Sequence, residues 1–134
     1  MGIMSFFKKN KHGKSEEENK LDRLWKLWMQ DQAGHPYGDL MTYQAEVNNG
    51  GHHQYFSNVE ETGDLSAAMA ALESVLSEAL QSNLRTAYEA YLKFEEDEDD
   101  EEAEETLEQC DEAFYAGEAE VNRKLADYAA KLEL

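Results

Sequence analysis

The sequence predicts an all-α protein, a compact single-domain array of about five to seven helices. Three observations carry this. Apolar side chains recur three and four residues apart along most of the chain, the period of a helix with one buried face. The 134 residues include a single proline and few runs of β-branched residues, which argues against sheet. Breaks in the period fall where Gly, Asn, Asp or Pro occur, residues that stop or start helices. With 41 % apolar residues, among them two Trp, seven Tyr and five Phe, the chain can bury one modest core.

The first twenty residues, MGIMSFFKKNKHGKSEEENK, show no period. They read as a flexible tail, with the helical domain over 21–134. Phe6, Phe7 and the lysines behind them offer weak attraction to an anionic membrane, not a stable association. The apolar block is too short for a secretory signal. LDRLWKLWMQ then places Leu21, Leu24, Trp25 and Trp28 on one stripe, a core-facing helix expected to end at Gly34 and Pro36. A second helix starts at Tyr37 or Asp39 and runs to Asn48, with Leu40, Tyr43 and Val47 inward. Asn48-Asn49-Gly50-Gly51 stops it, because these residues tolerate left-handed backbone, and residues 52–58 begin a short third helix. Asp64 caps a fourth, with Leu65, Met69, Leu72, Val75, Leu76 and Leu80 on one face. A fifth starts near Asn83 and carries Leu84, Tyr88, Tyr91 and Leu92. In 95–105, EEDEDDEEAEE, only Ala103 is not acidic. Like charges four apart disfavour a helix by roughly 0.2–0.5 kcal/mol per pair, so a loop or frayed end is expected there. Leu107, Phe114, Val121, Leu125, Tyr128 and Leu132 define one or two last helices, broken near Gly117.

Charge narrows the function classes. Thirty acids against twelve bases give a net charge of −18. Seven of the bases precede residue 27, so the rest of the chain holds twenty-six acids against five bases. Such a body repels DNA, RNA and anionic lipid, and its natural partners are cations or basic protein surfaces. No stretch approaches the roughly 18 apolar residues of a membrane helix. The single Cys110 forms no internal disulfide, which suits a reducing, cytoplasmic setting.

The segment at 46–58, EVNNGGHHQYFSN, concentrates polar chemistry. As a metal site it is poor: His52 and His53 are adjacent, about 100° apart on a helix, where paired ligands want a spacing of three or four. A Cys110–His pair lacks any local signature. Acid–base work by Glu46 with His52 or His53 is unspecific in so acidic a chain. NNGG has neither phosphate-loop spacing, and the acidic run lacks the glycine and alternating ligands of an EF-hand. No cofactor or metal is expected. A structural joint explains the cluster better. A helix–helix turn leaves backbone groups to satisfy, Asn48, Asn49, Gln54 and Asn58 both donate and accept, and Tyr55 and Phe56 pin the joint to the core.

The same segment resembles the signature of a bacterial family of small helical domains named for the nineteen-kilodalton DNA-mimic protein. The matching residues are Glu46, Val47, Asn48, Asn49, Gly50, Gly51, Gln54, Tyr55, Phe56 and Asn58, supported by DEAFYAGEAE at 111–120 and a helical layout over 21–132. The resemblance implies an all-α domain, and for the namesake type an acidic surface that imitates DNA phosphates on a DNA-binding protein. The reading is therefore a non-enzymatic, acidic interaction protein that binds a basic protein surface. Its expected contact surface is Glu95, Glu96, Asp97, Glu98, Asp99, Asp100, Glu101, Glu102, Glu104 and Glu105, joined by acids of the last segment such as Glu108, Asp111, Glu112, Glu118 and Glu120. The rival reading is a small enzyme or ligand-binding domain with a site around Glu46, His52, His53 and Tyr55.

Overall fold

Five helices form among residues 15–134, the residues described by the computed structural model: α1 Glu16–Met29, α2 Tyr37–Thr62, α3 Leu65–Val75, α4 Glu78–Glu96 and α5 Glu101–Lys131. Among these residues there is no strand, as the all-α expectation requires. The membrane-brushing segment with Phe6 and Phe7 lies outside the described residues. No described helix is long and apolar enough to cross a membrane.

Several element boundaries differ from the sequence expectation, each for a visible reason. α1 begins at Glu16, not 21, because Ser15 and Glu18 form a reciprocal capping box. It ends at Met29, ahead of Gly34 and Pro36. Asp31 takes the left-handed conformation (φ 59°), the Gln32 N–H donates to Leu27 O, and the Asp31 N–H donates to Trp28 O, which closes the helix end in a Schellman motif. The fourth helix does not run through to Leu80. It stops at Val75, and Ser77 accepts from the Leu80 N–H to start α4. Asp64 caps α3 as expected, accepting from the Ala67 N–H.

The acidic run, expected as a loop or a frayed helix end, holds a helix end and a helix start and is mostly helical. Only residues 97–100 leave the helix. Asp100 caps α5 through the Ala103 N–H, and Glu101, Glu102 and Glu104 fill its first turn. Negative charge is favoured there by the exposed N–H groups, about 0.3–1 kcal/mol per residue, which offsets the mutual repulsion. α5 then continues unbroken through Gly117 for 31 residues. At that glycine the opposing Leu80 side chain would lie 3.2 Å from an added Cβ. Gly117 therefore serves close helix packing and does not end a helix.

α5 is the spine. α1, α2 and α4 pack against it, and α3 packs on α2. The core holds Leu24, Leu40, Tyr43, Tyr55, Phe56, Leu84, Tyr91, Phe114, Val121 and Leu125, each at most 1 % exposed. Its centre is aromatic: Tyr43 meets Tyr55 and Phe114 edge-on with ring centroids 5.0 and 5.1 Å apart, and Phe56 lies 5.2 Å from Tyr91. Lys20 of α1 donates to the Leu132 carbonyl at 2.8 Å, satisfying the C-terminal end of α5.

Candidate functional site

The joint at 46–58 is a kink within α2, where one helical stretch stops at Gly50-Gly51 and a second begins, as the Asn-Asn-Gly-Gly break predicts. Gly50 (φ −156°, ψ 17°) and Gly51 (φ 80°, ψ −177°) depart from helical backbone, and the helix resumes through Thr62. In an unbroken helix the His52 N–H would go to the Asn48 carbonyl, and the Val47 carbonyl would receive the Gly51 N–H. Here α5 serves both groups. Asp111 Oδ1 accepts from the His52 N–H at 2.8 Å, and the Tyr115 hydroxyl donates to Val47 O at 3.0 Å.

One face of α5 is built for this. Asp111, Tyr115, Glu118 and Asn122 follow at steps of four, three and four, a single helical stripe. Glu118 Oε2 accepts from Gln44 at 2.8 Å and from Asn48 at 2.7 Å, and Asn122 accepts from Gln44 at 2.7 Å. Across the kink, Glu46 accepts from Gln54 at 3.4 Å and from Asn58. Asn49 faces solvent, and Phe56 is buried in the aromatic core. The joint residues are thus brought together, apart from Asn49.

His52 sits at the centre, fully buried. Its Nδ1 lies 2.7 Å from the same Asp111 oxygen, and its Nε2 lies 2.6 Å from the Tyr43 hydroxyl. A carboxylate only accepts, so Nδ1 carries a proton toward Asp111, and Nε2 shares its hydrogen bond with the Tyr43 hydroxyl. Burial, foremost, pushes the Tyr43 hydroxyl well above the usual tyrosine range, which keeps it protonated. The Asp–His–Tyr order has the look of a catalytic relay, but it is closed in: Tyr43 and His52 expose nothing to solvent.

The four residues of the rival site do not converge. His52 lies under the kink. His53 lies against the rings of Tyr91 and Phe94 and 3.3 Å from Glu95. Glu46 is engaged by Gln54 and Asn58. Tyr55 alone of the four lines a groove, a space of about 570 Å³ between α2, α3 and the α1–α2 loop. Among the described residues no three His, Cys, Asp or Glu side chains form a cluster able to hold a metal. Cys110 is buried, and burial followed by the Asp111 charge pushes its thiol up to about 11, so it stays protonated and inert near neutral pH.

The acidic residues divide into two sets. Nine of the ten acids in 95–105 are exposed and Asp100 is half-buried at its cap. Asp111, Glu118 and Glu120, expected on the same contact surface, have structural partners instead: the first two hold the kink, and Glu120 accepts from the Ser77 N–H at 3.2 Å. Glu108 and Glu112 remain exposed. Tyr43, Gln44, Asp111, Tyr115 and Glu118 are functional to the joint, and sequence reasoning missed them as partners. The usable signal was the stripe 111–115–118–122, where an aromatic and an amide interrupt an otherwise acidic helix at helical spacing.

A family model described as DMP19-like protein matches residues 36–132. The chain belongs to this family. The match runs from Pro36, at the start of α2, into the residues just past α5, so it takes in the kink, the aromatic centre and the acidic run. It is narrower than the 21–132 layout seen in sequence and leaves out α1, which nonetheless packs on α5. Comparison with curated proteins and with solved structures gives no match.

At the rim of the groove, His35 stands four residues before Asp39 and meets its carboxylate through Nδ1. That hydrogen bond, and then the Asp39 charge, raise His35 above its ordinary value of 6.5. A raised value in the folded state means the pair favours folding while His35 is charged. The contribution is complete below the ordinary histidine value and fades as pH rises through the raised one. NMR titration of the His35 ring is expected to give a midpoint above 6.5, and Asp39→Asn to lower it. An unchanged midpoint in that variant would remove Asp39 as the cause.

Proposed function

We propose that this family member is a non-enzymatic acidic protein that binds a basic protein surface, and that it does so as a mimic of the DNA backbone. The observation that carries the reading is the exposed acidic end shared by α4 and α5, where nine exposed carboxylates fall within eleven residues on and between two helix ends. On a helix, side chains three and four apart have Cβ atoms roughly 5–6 Å apart. Duplex DNA carries one charge per roughly 1.7 Å of axis over both strands. A carboxylate array on ordered helix ends approaches such a field more closely than a loose acidic loop, because its charges hold their spacing. The likeness of the 46–58 signature to the DNA-mimic type supports the same reading. The dispersal of Glu46, His52, His53 and Tyr55 weighs against an enzyme site at the joint.

Capture from host lysate on the immobilised chain at low salt, followed by calorimetry with the captured protein, tests this. The expected partner is basic, and its affinity falls at least about tenfold between roughly 0.05 and 0.2 M salt, as the Debye length shortens from about 14 Å to about 7 Å. Affinity flat across that range, or direct binding of duplex DNA by this chain, would count against the proposal.

A further inference from the structure

The wall that α3 gives to the groove beside the α1–α2 loop is unlike the rest of this surface. A surface helix turns charged and polar residues outward. Yet α3 holds no charged residue from Leu65 to Leu72, in a chain of which 31 % is charged. Only Leu65 and Leu72 of this helix are buried, and α3 packs on α2. Ala67 and Ala70 are exposed, and Ala68 and Ala71 are half-buried. Ala67, Ala68 and Ala71 line the groove, and the half-buried Trp28, Ala33 and Val59 complete its apolar lining. Trp28 spends its indole N–H on Thr42 Oγ1 at 2.9 Å, so what it adds to the lining is ring surface. The rim is acidic: Asp31 and Asp64 are exposed there, and no Lys or Arg lines the groove.

The chain carries a segment of the matching kind. Residues 1–7, MGIMSFF, hold no charged side chain, and Lys8, Lys9 and Lys11 follow at once. This segment lies outside the described residues, which begin at Ser15, the cap of α1. Its length and its point of attachment fit the groove. Ser15 and Trp28 are thirteen residues apart along α1, about 20 Å at the helical rise. Phe7 is eight residues from Ser15, and eight extended residues span about 26 Å. The Phe6-Phe7 pair therefore reaches the groove by doubling back along α1. A volume of about 570 Å³ lies within the roughly 300–1,000 Å³ that encloses a drug-sized molecule, room for two phenyl rings.

We propose that residues 3–9 of this chain dock in the groove in cis, with the Phe6 and Phe7 rings against Trp28 and the α3 alanines and with Lys8 and Lys9 at the Asp31 and Asp64 rim. Burial of the two rings supplies the attraction, since each aromatic side chain covers roughly 150–250 Å². The lysines fix the direction, because they meet carboxylates at the rim and their heads stay in water. A short tether holds the segment at an effective concentration of about millimolar, so a contact too weak to form between separate molecules suffices. The acids of 95–105 take no part in this contact, which stands apart from the basic-partner reading.

The test is NMR on the full chain in dilute solution. Overhauser contacts are expected from the Phe6 and Phe7 rings to the Ala68 and Ala71 methyl groups. Phe6→Ser combined with Phe7→Ser should remove them, shift the Trp28 indole N–H and lower the melting temperature by about 3 °C or more, as loss of buried apolar area implies. Lys8→Glu combined with Lys9→Glu should weaken the contacts at low salt, where acid then faces acid across the rim. A mixture of labelled and unlabelled chains should show no such contact between chains, and vesicles of phosphatidylcholine and phosphatidylserine, three to one, should leave the contacts in place. Rings that touch nothing in the groove, or a serine variant with the parent's Trp28 signal and melting temperature, overturn the docking. Full contacts in the glutamate variant overturn the placement of the lysines. Contacts found only between chains overturn docking in cis in favour of a second copy, and vesicles that abolish them overturn it in favour of a membrane surface.

Discussion

Gly51→Ala is expected to lower stability by about 3 kcal/mol. At φ 80° and ψ −177° Gly51 occupies backbone that is essentially reserved for glycine, and a side chain there costs about 1–3 kcal/mol. The added Cβ would also lie 2.4 Å from Asp111 Oδ2. Asp111 must then move, and it is the acceptor for both the backbone N–H and the Nδ1–H of the buried His52. A buried donor left unmet costs about 1–3 kcal/mol more. Against this, alanine restricts the unfolded chain and returns only about 0.4–1 kcal/mol. Gly50→Ala should be much milder. Its φ of −156° lies outside the left-handed region, and an added methyl group would meet the Gln54 side chain; the amide end can swing away at the loss of one long hydrogen bond to Glu46, leaving the Gln54 Cβ, 3.0 Å from the added carbon, to give by a few tenths of an ångström. Urea denaturation of the two variants beside the parent decides it. A Gly51→Ala protein as stable as the parent, or a Gly50→Ala protein that is the worse of the two, would show that the kink is not held as described.

Neutralising part of the acidic run should do the reverse: leave the fold intact and weaken binding. Glu96, Glu98, Asp99 and Glu105 are exposed and none caps a helix. Changing them to Gln or Asn relieves like-charge repulsion, so stability should hold within about 0.5 kcal/mol, as for most surface changes. Affinity for the captured basic protein should fall about tenfold or more at low salt, mostly through a slower association rate. The difference between parent and variant should shrink as salt rises. Asp100 is deliberately spared, since loss of its cap on α5 would cost about 1 kcal/mol by itself. Asp111, Glu118 and Glu120 are spared for the same reason: their removal would damage the joint and the α4 start, and any lost binding would be uninterpretable. If the fourfold variant binds as well as the parent at low salt, the run serves solubility and the mimic proposal falls.

Much of this protein was determined by its sequence alone, wherever the information is local. Helical periodicity set the all-α class. Asp64 declared itself as a cap, because an N-cap needs only the N–H groups of the next turn. Asn-Asn-Gly-Gly marked the break in α2, because only glycine enters the backbone found at Gly51. The acids of 95–105 and the family signature are likewise written in consecutive residues. Tertiary structure decided whatever depends on a distant partner. Gly117 reads as a helix break until Leu80 is seen packed over it. The acidic run reads as a loop or a frayed helix end until Asp100 and the first turn of α5 show carboxylates meeting free N–H groups. Asp111 and Glu118 read as surface charge, but packing sets them against His52, Gln44 and Asn48, 59 to 74 residues away in the chain. The same packing sealed His52 beneath the kink and buried the Tyr55 hydroxyl without a hydrogen-bond partner. A side chain's type states which bonds it can make, and only the fold states which groups it meets.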